Sequence, residues 1–248
     1  MTVPALEVRG LTVQYEGLLA LDGVSMTVPK GGRYGIVGPN GAGKTTLFNA
    51  MTGFAPIAAG SVTLDGTDVT TCHAAVRARM GLARTFQITH LMPTLSTFEN
   101  VMLGSLSMTG ESRSWWRSRP SAKRSVDNTW SVIEMLDLTA VANTRVSELS
   151  YGDQRRIEIA VAMATRPTVL LLDEPAAGLS AAERESIVEL LLNVPDSLTT
   201  VVIEHDLEVV FALADTVTVL DGGREVLTGT GDEIRNDPHI KEIYLGAE

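Results

Sequence analysis

Cysteine is almost missing from this chain: Cys72 is the only one in 248 residues. An internal disulfide is therefore excluded and a cysteine-built metal site cannot form, which fits a reducing compartment. Long apolar runs are missing too. No stretch approaches the roughly 18–20 residues that cross a bilayer, and residues 1–10 carry no basic segment leading into an apolar one. A soluble chain is expected, without direct membrane insertion, so any membrane association would be made through a protein partner. Positive charge is in short supply: 20 Lys and Arg stand against 30 Asp and Glu, a formal net charge of −10. That balance disfavours nonspecific attraction to nucleic acid or an anionic bilayer. Internal repeats and low-complexity tracts are also lacking. One large domain over residues 1–248, with room for a subdomain, is the expected organisation.

What is present begins with Gly38-Pro39-Asn40-Gly41-Ala42-Gly43-Lys44-Thr45-Thr46, which fits the pattern G-x-x-x-x-G-K-[ST]. Successive small residues let backbone N–H groups turn inward around phosphate oxygens, and the following helix aims its positive dipole end at the same anion. Asn40, Gly41, Ala42, Gly43 and Thr46 supply that cradle. Lys44 reaches the outer phosphates as a point charge, and the Thr45 hydroxyl is the expected Mg²⁺ ligand. The ligand implied is a nucleoside triphosphate with Mg²⁺. The context has the required order, since Arg33–Val37 reads as a short buried strand and Thr45–Met51 as a helix ended at Gly53.

The rest of the chain divides by pattern. Short β-like runs before residue 35, separated by Gly and Asp, look like an antiparallel layer, and Ser61–Gly66 resembles a strand and turn. Leu82–Gln87 resembles a strand that ends in a polar residue. From about residue 95 to 165 the pattern is helical, opened by a Ser96/Glu99 capping box and continued by Val132–Leu136. Beyond it, strands and helices alternate, with strands at Val169–Leu172, Thr200–Ile203 and Val217–Leu220, which favours a parallel sheet with crossover helices. The fold expected is α/β, a P-loop NTPase core of mostly parallel sheet with an antiparallel β layer and an inserted helical subdomain. Its core comprises about residues 1–94 and 166–248, and its subdomain about 95–165. Arg113–Arg124, with Trp115, Trp116 and five basic residues, reads as a solvated connection or as a dock for a membrane partner.

Val169-Leu170-Leu171-Leu172-Asp173-Glu174-Pro175 is an apolar strand ending in two acids, the pattern of a Walker B element. Asp173 would hold the Mg²⁺ shell and Glu174 would polarise the attacking water as general base. A strand followed by a helix-capping acid is the plainer alternative.

Between these two elements lies Leu149-Ser150-Tyr151-Gly152-Asp153-Gln154, opening a helix. With this segment the chain resembles the nucleotide-binding subunits of ABC transporters, whose signature is Leu-Ser-Gly-Gly-Gln. The resemblance implies that Ser150 and Gly152 bind the γ-phosphate of ATP held by an opposite subunit; taken alone, the segment reads as a helix capped by Ser150. Tyr151 and Asp153 depart from the signature, and Asp153 adds negative charge near a phosphate. The resemblance further implies that Gln87 contacts Mg²⁺ and couples the site to the membrane subunit, that His205 hydrogen-bonds the γ-phosphate, and that Tyr15 stacks on adenine. Taken alone, His205 would be structural and Tyr15 a surface residue near a turn. The segment Ala177-Gly178-Leu179-Ser180 departs from the family's Ser-Ala-Leu-Asp, and Ser180 with Glu183 makes a capping box.

Within the family the chain is most similar to ATPases of branched-chain amino acid importers, on Gly81–Gln87, Ser150-Tyr151-Gly152, Asp173–Leu179, Ile203–Asp206 and Ile243–Gly246. The resemblance implies an ATP hydrolase peripheral on the cytoplasmic face of the membrane. Its partners would be transmembrane permease subunits and a second ATPase subunit, identical or different. Urea, amide or lipid cargo is the alternative on the same resemblance. A switch GTPase is disfavoured because no Asn-Lys-x-Asp segment occurs. A non-transport ABC ATPase acting on DNA or ribosomes is disfavoured by the acidic single domain.

Overall fold

The computed structural model describes residues 3–85, 91–107 and 119–245. The chain opens with β1 (Leu6–Tyr15) and β2 (Leu18–Val28), then β3 (Arg33–Val37), helix α1 (Lys44–Thr52), β4 (Ala59–Leu64), β5 (Thr67–Asp68), α2 (Ala74–Arg79) and β6 (Leu82–Arg84). Helices α3 (Thr97–Ser107), α4 (Arg119–Met135) and α5 (Tyr151–Ala164) follow. Alternation then sets in with β7 (Val169–Asp173), α6 (Ala181–Leu192), β8 (Thr199–Ile203), α7 (Leu207–Leu213) and β9 (Thr216–Asp221). The chain closes with β10 (Arg224–Gly229), α8 (Gly231–Asn236) and α9 (Pro238–Leu245).

Two sheets form. The order β2-β1-β4-β5 is antiparallel throughout, and β10-β9-β3-β8-β7-β6 is parallel except for its edge pair β9/β10. β7 and β8 are buried at every residue, as expected where helices cover both faces of a parallel sheet. β1 instead shows exposed positions among buried ones, because one of its faces meets water. Of the strand read over Leu82–Gln87, Leu82–Arg84 stands as β6 and Thr85 donates its N–H to the Leu171 carbonyl at 2.9 Å, while Phe86 and Gln87 lie outside the described residues. The antiparallel edge β10 and the short helices α2, α8 and α9 were not legible, since six to eight residues give little periodic signal. Helices α3 to α5 share one apolar core with β7, β8 and α6, and their first turn is fixed by the expected Ser96/Glu99 capping box, with N–H to carboxylate at 2.8 Å.

Arg77 is the largest of the fully buried side chains and lies 2% exposed. Its guanidinium donates to the carbonyls of Ala50 and Met51 at 2.7 Å each, of Thr70 at 2.8 Å and of Cys72 at 3.0 Å. Two of these carbonyls belong to the last turn of α1, where Ala50 also accepts the Gly53 N–H at 3.3 Å, so Arg77 completes the end of the helix whose other end follows the Gly38–Gly43 loop. Arg77→Ala is expected to cost at least about 3 kcal/mol by leaving buried acceptors unpaired. Thermal denaturation should show a fall of roughly 6–12 °C; an unchanged midpoint would deny Arg77 this role.

Candidate nucleotide site

Parallel pairing brings the candidate residues to one edge of the sheet. Ile36 of β3 and Asp173 of β7 flank the same residue, Ile203 of β8. The segments that leave these strands therefore emerge side by side at their carboxyl ends, where open α/β sheets bind ligands. They are the loop Gly38–Gly43, the pair Asp173-Glu174 and the pair Glu204-His205.

The loop has its shape from three glycines with positive φ, Gly38 at 150°, Gly41 at 82° and Gly43 at 99°. A Cβ on Gly38 would come within 2.1 Å of the Leu220 carbonyl oxygen, so that position admits only glycine, whereas a Cβ on Gly41 would meet nothing within 4 Å. Asn40, Gly41 and Thr45 are exposed, Gly43 and Thr46 half-buried, and Ala42 buried. Helix α1 has Gly43 as its N-cap and no side chain bonded to its first N–H groups, which leaves those donors to an anion. Lys44 is 8% exposed, and its ammonium donates to the carbonyls of Gly38 at 2.5 Å and Pro39 at 2.9 Å. Burial pulls its pKa below the ordinary value, and the nearby carboxylates of Glu174 and Asp173 push the other way.

Asp173 is 1% exposed. Its Oδ2 accepts from Arg84 Nη2 at 2.6 Å and its N–H donates to Thr85 Oγ1 at 3.1 Å, while Oδ1 is buried without a hydrogen-bond partner. An orphaned carboxylate oxygen and the Thr45 hydroxyl suit Mg²⁺, which takes one or two carboxylates and completes its shell with phosphate and water. No group of three or more His, Cys, Asp or Glu able to cage a metal occurs among the described residues. Glu174 has a φ of 47°, and its N–H donates to the Ile203 carbonyl at 2.9 Å. A non-glycine residue in this region is uncommon and turns the side chain out of the strand path, half-buried at the sheet edge.

His205 has a 64% exposed side chain, with Nδ1 3.6 Å from Oε2 of Glu204, too long for a hydrogen bond. Glu204 itself was not singled out in the sequence. Its side chain is 1% exposed and its Oε1 accepts the N–H of Ala176 at 2.7 Å, joining the end of β8 to the loop after β7. Burial raises its carboxyl above the ordinary 4.5, the Ala176 N–H opposes that, and the charge of Glu174 adds to it.

Tyr15 is 40% exposed at the tip of the β1–β2 hairpin, presented by a two-residue turn in which Glu16 and Gly17 both have positive φ, 42° and 95°. Ser150 caps α5: its Oγ accepts the Asp153 N–H at 3.1 Å and its hydroxyl donates to Asp153 Oδ2 at 2.8 Å. The added negative charge is thus folded back onto the cap. Gly152 is buried behind it, where a Cβ would come within 2.7 Å of Glu183 Oε1. Ser180 and Glu183 form the expected capping box of α6. Gln87 and residues 113–118 of the basic stretch lie outside the described residues.

A phosphate loop, a carboxylate pair and a capped signature helix on one α/β sheet define an ATP-binding cassette. A family model for ABC transporters matches residues 21–177, and the chain belongs to that family. More narrowly, it is 37% identical to the high-affinity branched-chain amino acid transport ATP-binding protein BraF of Pseudomonas aeruginosa, over 99% of both chains. It is 36% identical, with the same coverage, to the LivG protein of that description from Escherichia coli. Among solved structures it resembles an ATP-binding cassette of an ABC transporter in its ADP conformation. The TM-score is 0.87 at 29% identity, over 99% of this chain and 100% of that one. It also resembles a dimeric cassette in a post-hydrolysis state bound to ADP and Pi, with a TM-score of 0.77 at 26% identity over 91% and 98% of the two chains.

A carboxyl raised in the folded state favours folding while protonated, so its contribution is complete below the ordinary 4.5 and is lost as pH rises through the raised value. Wild type should therefore lose stability relative to Glu204→Gln as pH increases from 4.5 towards neutrality. Paired thermal melts across that range test this; a difference that stays constant removes Glu204 as the titrating group.

Proposed function

We propose that this chain is the ATP-hydrolysing subunit of an importer for branched-chain amino acids, working on the cytoplasmic face of the membrane beneath permease subunits. The observation that carries the cargo is the 36–37% identity, end to end, to transport ATP-binding proteins of that description. The aligned strand ends and the orphaned Oδ1 of Asp173 support the chemistry.

In this reading ATP lies between two ATPase subunits, identical or different, and Tyr15 supplies a face for adenine. Amides of the loop Asn40–Thr46 and the dipole of α1 receive the β- and γ-phosphates, and Lys44 leaves the carbonyls of Gly38 and Pro39 to reach them. Thr45, Asp173 and Gln87 would hold Mg²⁺, which when bound neutralises charge on the phosphate oxygens. Glu174 orients and deprotonates the attacking water, and His205 donates to the γ-phosphate oxygens as their charge develops. The N-terminus of α5, with Ser150 and Gly152, closes on the same phosphate from the opposite subunit. Each site is then built from two chains, so turnover requires closure of the pair.

The permease contact is assigned to a groove of about 580 Å³ between α2, β6 and α5, walled by Ala75, Leu82, Leu91, Val161 and the 60% exposed Phe54. It adjoins the strand that runs towards Gln87, which gives a mechanical route from the carboxylate edge to a membrane partner. Among the described residues no helix is long and apolar enough to cross a membrane, so the transport path falls to that partner.

Glu174→Gln is expected to retain ATP binding and to form an ATP-dependent dimer, while losing at least about 100-fold in turnover, the scale of a positioned general base. Reconstituted with its permease, wild type should drive ATP-dependent leucine, isoleucine or valine uptake and the variant should not. Wild-type turnover in the variant would remove Glu174 from this role. Uptake of urea or an amide instead of the amino acids would replace the cargo and leave the ATPase reading intact.

A further inference from the structure

We propose that Arg84 is a positioning residue for the metal-binding carboxylate. Its guanidinium takes one oxygen of Asp173 and so dedicates the other to the divalent cation that accompanies the nucleotide. The proposal rests on the assignment of Asp173 as that carboxylate.

The strand register places Arg84 there. Arg84 ends β6 and pairs with Leu171 of β7, two residues before Asp173. Alternation along a strand puts Leu171 and Asp173 on one face, so a long side chain from Arg84 on that face reaches Asp173. The Arg84 and Asp173 side chains are 6% and 1% exposed, and Nη2 lies 2.6 Å from Oδ2. The same guanidinium is clamped by the phosphate-loop helix: Nη1 donates to Asn49 Oδ1 at 2.7 Å, and the group lies 5.4 Å from the centroid of the Phe48 ring. A buried, planar fork thus joins α1 to the end of β7.

Two consequences follow for the carboxylate. With Oδ2 committed to the guanidinium and the N–H of Asp173 donated to Thr85 Oγ1, rotation that would exchange the two oxygens is opposed, and Oδ1 is the one left without a partner. One committed oxygen also disfavours bidentate capture of the ion, as the near-octahedral demand of Mg²⁺ requires. Groups that hydrogen-bond a metal-binding carboxylate typically contribute about 10–100-fold in metal affinity. Lysine cannot reproduce this: a point charge could face Asp173 or Asn49 but not bridge both in a plane.

The test uses the whole chain in a Glu174→Gln background, which suppresses turnover, and compares Arg84→Lys, Arg84→Met and Asp173→Asn with their parent. Mn²⁺ affinity in the presence of ATP is read by electron paramagnetic resonance, nucleotide affinity in EDTA by a fluorescent ATP analogue, and folding by thermal melting. Both Arg84 variants are expected to bind Mn²⁺ about 10–100-fold more weakly while metal-free nucleotide affinity stays at the parental value. If Arg84→Met does not fold, Arg84→Lys alone decides. A lowered melting midpoint with parental Mn²⁺ affinity in Arg84→Lys would mean a purely structural ion pair and overturn the proposal. Parental Mn²⁺ affinity in Asp173→Asn would instead overturn the assignment of Asp173 itself.

Discussion

The register of three parallel strands is the constraint on which the site depends. Because Ile36 and Asp173 both pair with Ile203, the Gly38–Gly43 loop, the acidic pair and the Glu204-His205 pair leave the sheet at one level. A slip of one residue on β7 would turn Asp173 to the opposite face and send its carboxylate away from both Arg84 and the loop. The complete burial of β7 and β8 is what makes such a slip costly, since both faces pack against helices. The geometry of the proposed site and the packing of the core are here one requirement.

That requirement explains why polar groups are so deep at the edge of this sheet. Lys44, Arg84, Asp173 and Glu204 are all nearly inaccessible to water; Lys44 is partnered within its own loop, and the other three across elements distant in sequence. Buried charge without partners is expensive, so each contact both pays for burial and fixes a position. Glu204 shows the point: one oxygen holds the N–H of Ala176, which ties the segment after β8 to the loop after β7.

The parts legible in the sequence were those written locally. The loop after β3, the acidic pair after β7, the caps at Ser96 and Ser180 and the antiparallel layer all follow from short-range pattern, and each stands in the structure at its expected place. The rest depends on contacts between residues far apart. Nothing near Arg77 announces that it closes the last turn of α1, nor does anything near Arg84 announce a partner 89 positions away. The nearest signal was the position of Arg84 within the stretch shared with importer ATPases, which marked the segment but not the bond. Ser150 was legible both as a cap and as a phosphate ligand. The structure displays the first role in the hydrogen bond it accepts from Asp153, and the second is proposed for an assembly of two chains.

The contact of Lys44 with the carbonyls of Gly38 and Pro39 bears on the state in which the loop waits for its ligand. The lysine staples its own loop into a ring, so the amides are held in their curved arrangement by the chain itself. An incoming triphosphate therefore has no disordered segment to organise; it has one ammonium to recruit from two carbonyls. On the proposed reading, capture is then a local exchange in which one buried ammonium trades two carbonyl acceptors for phosphate oxygens while the loop keeps its curvature.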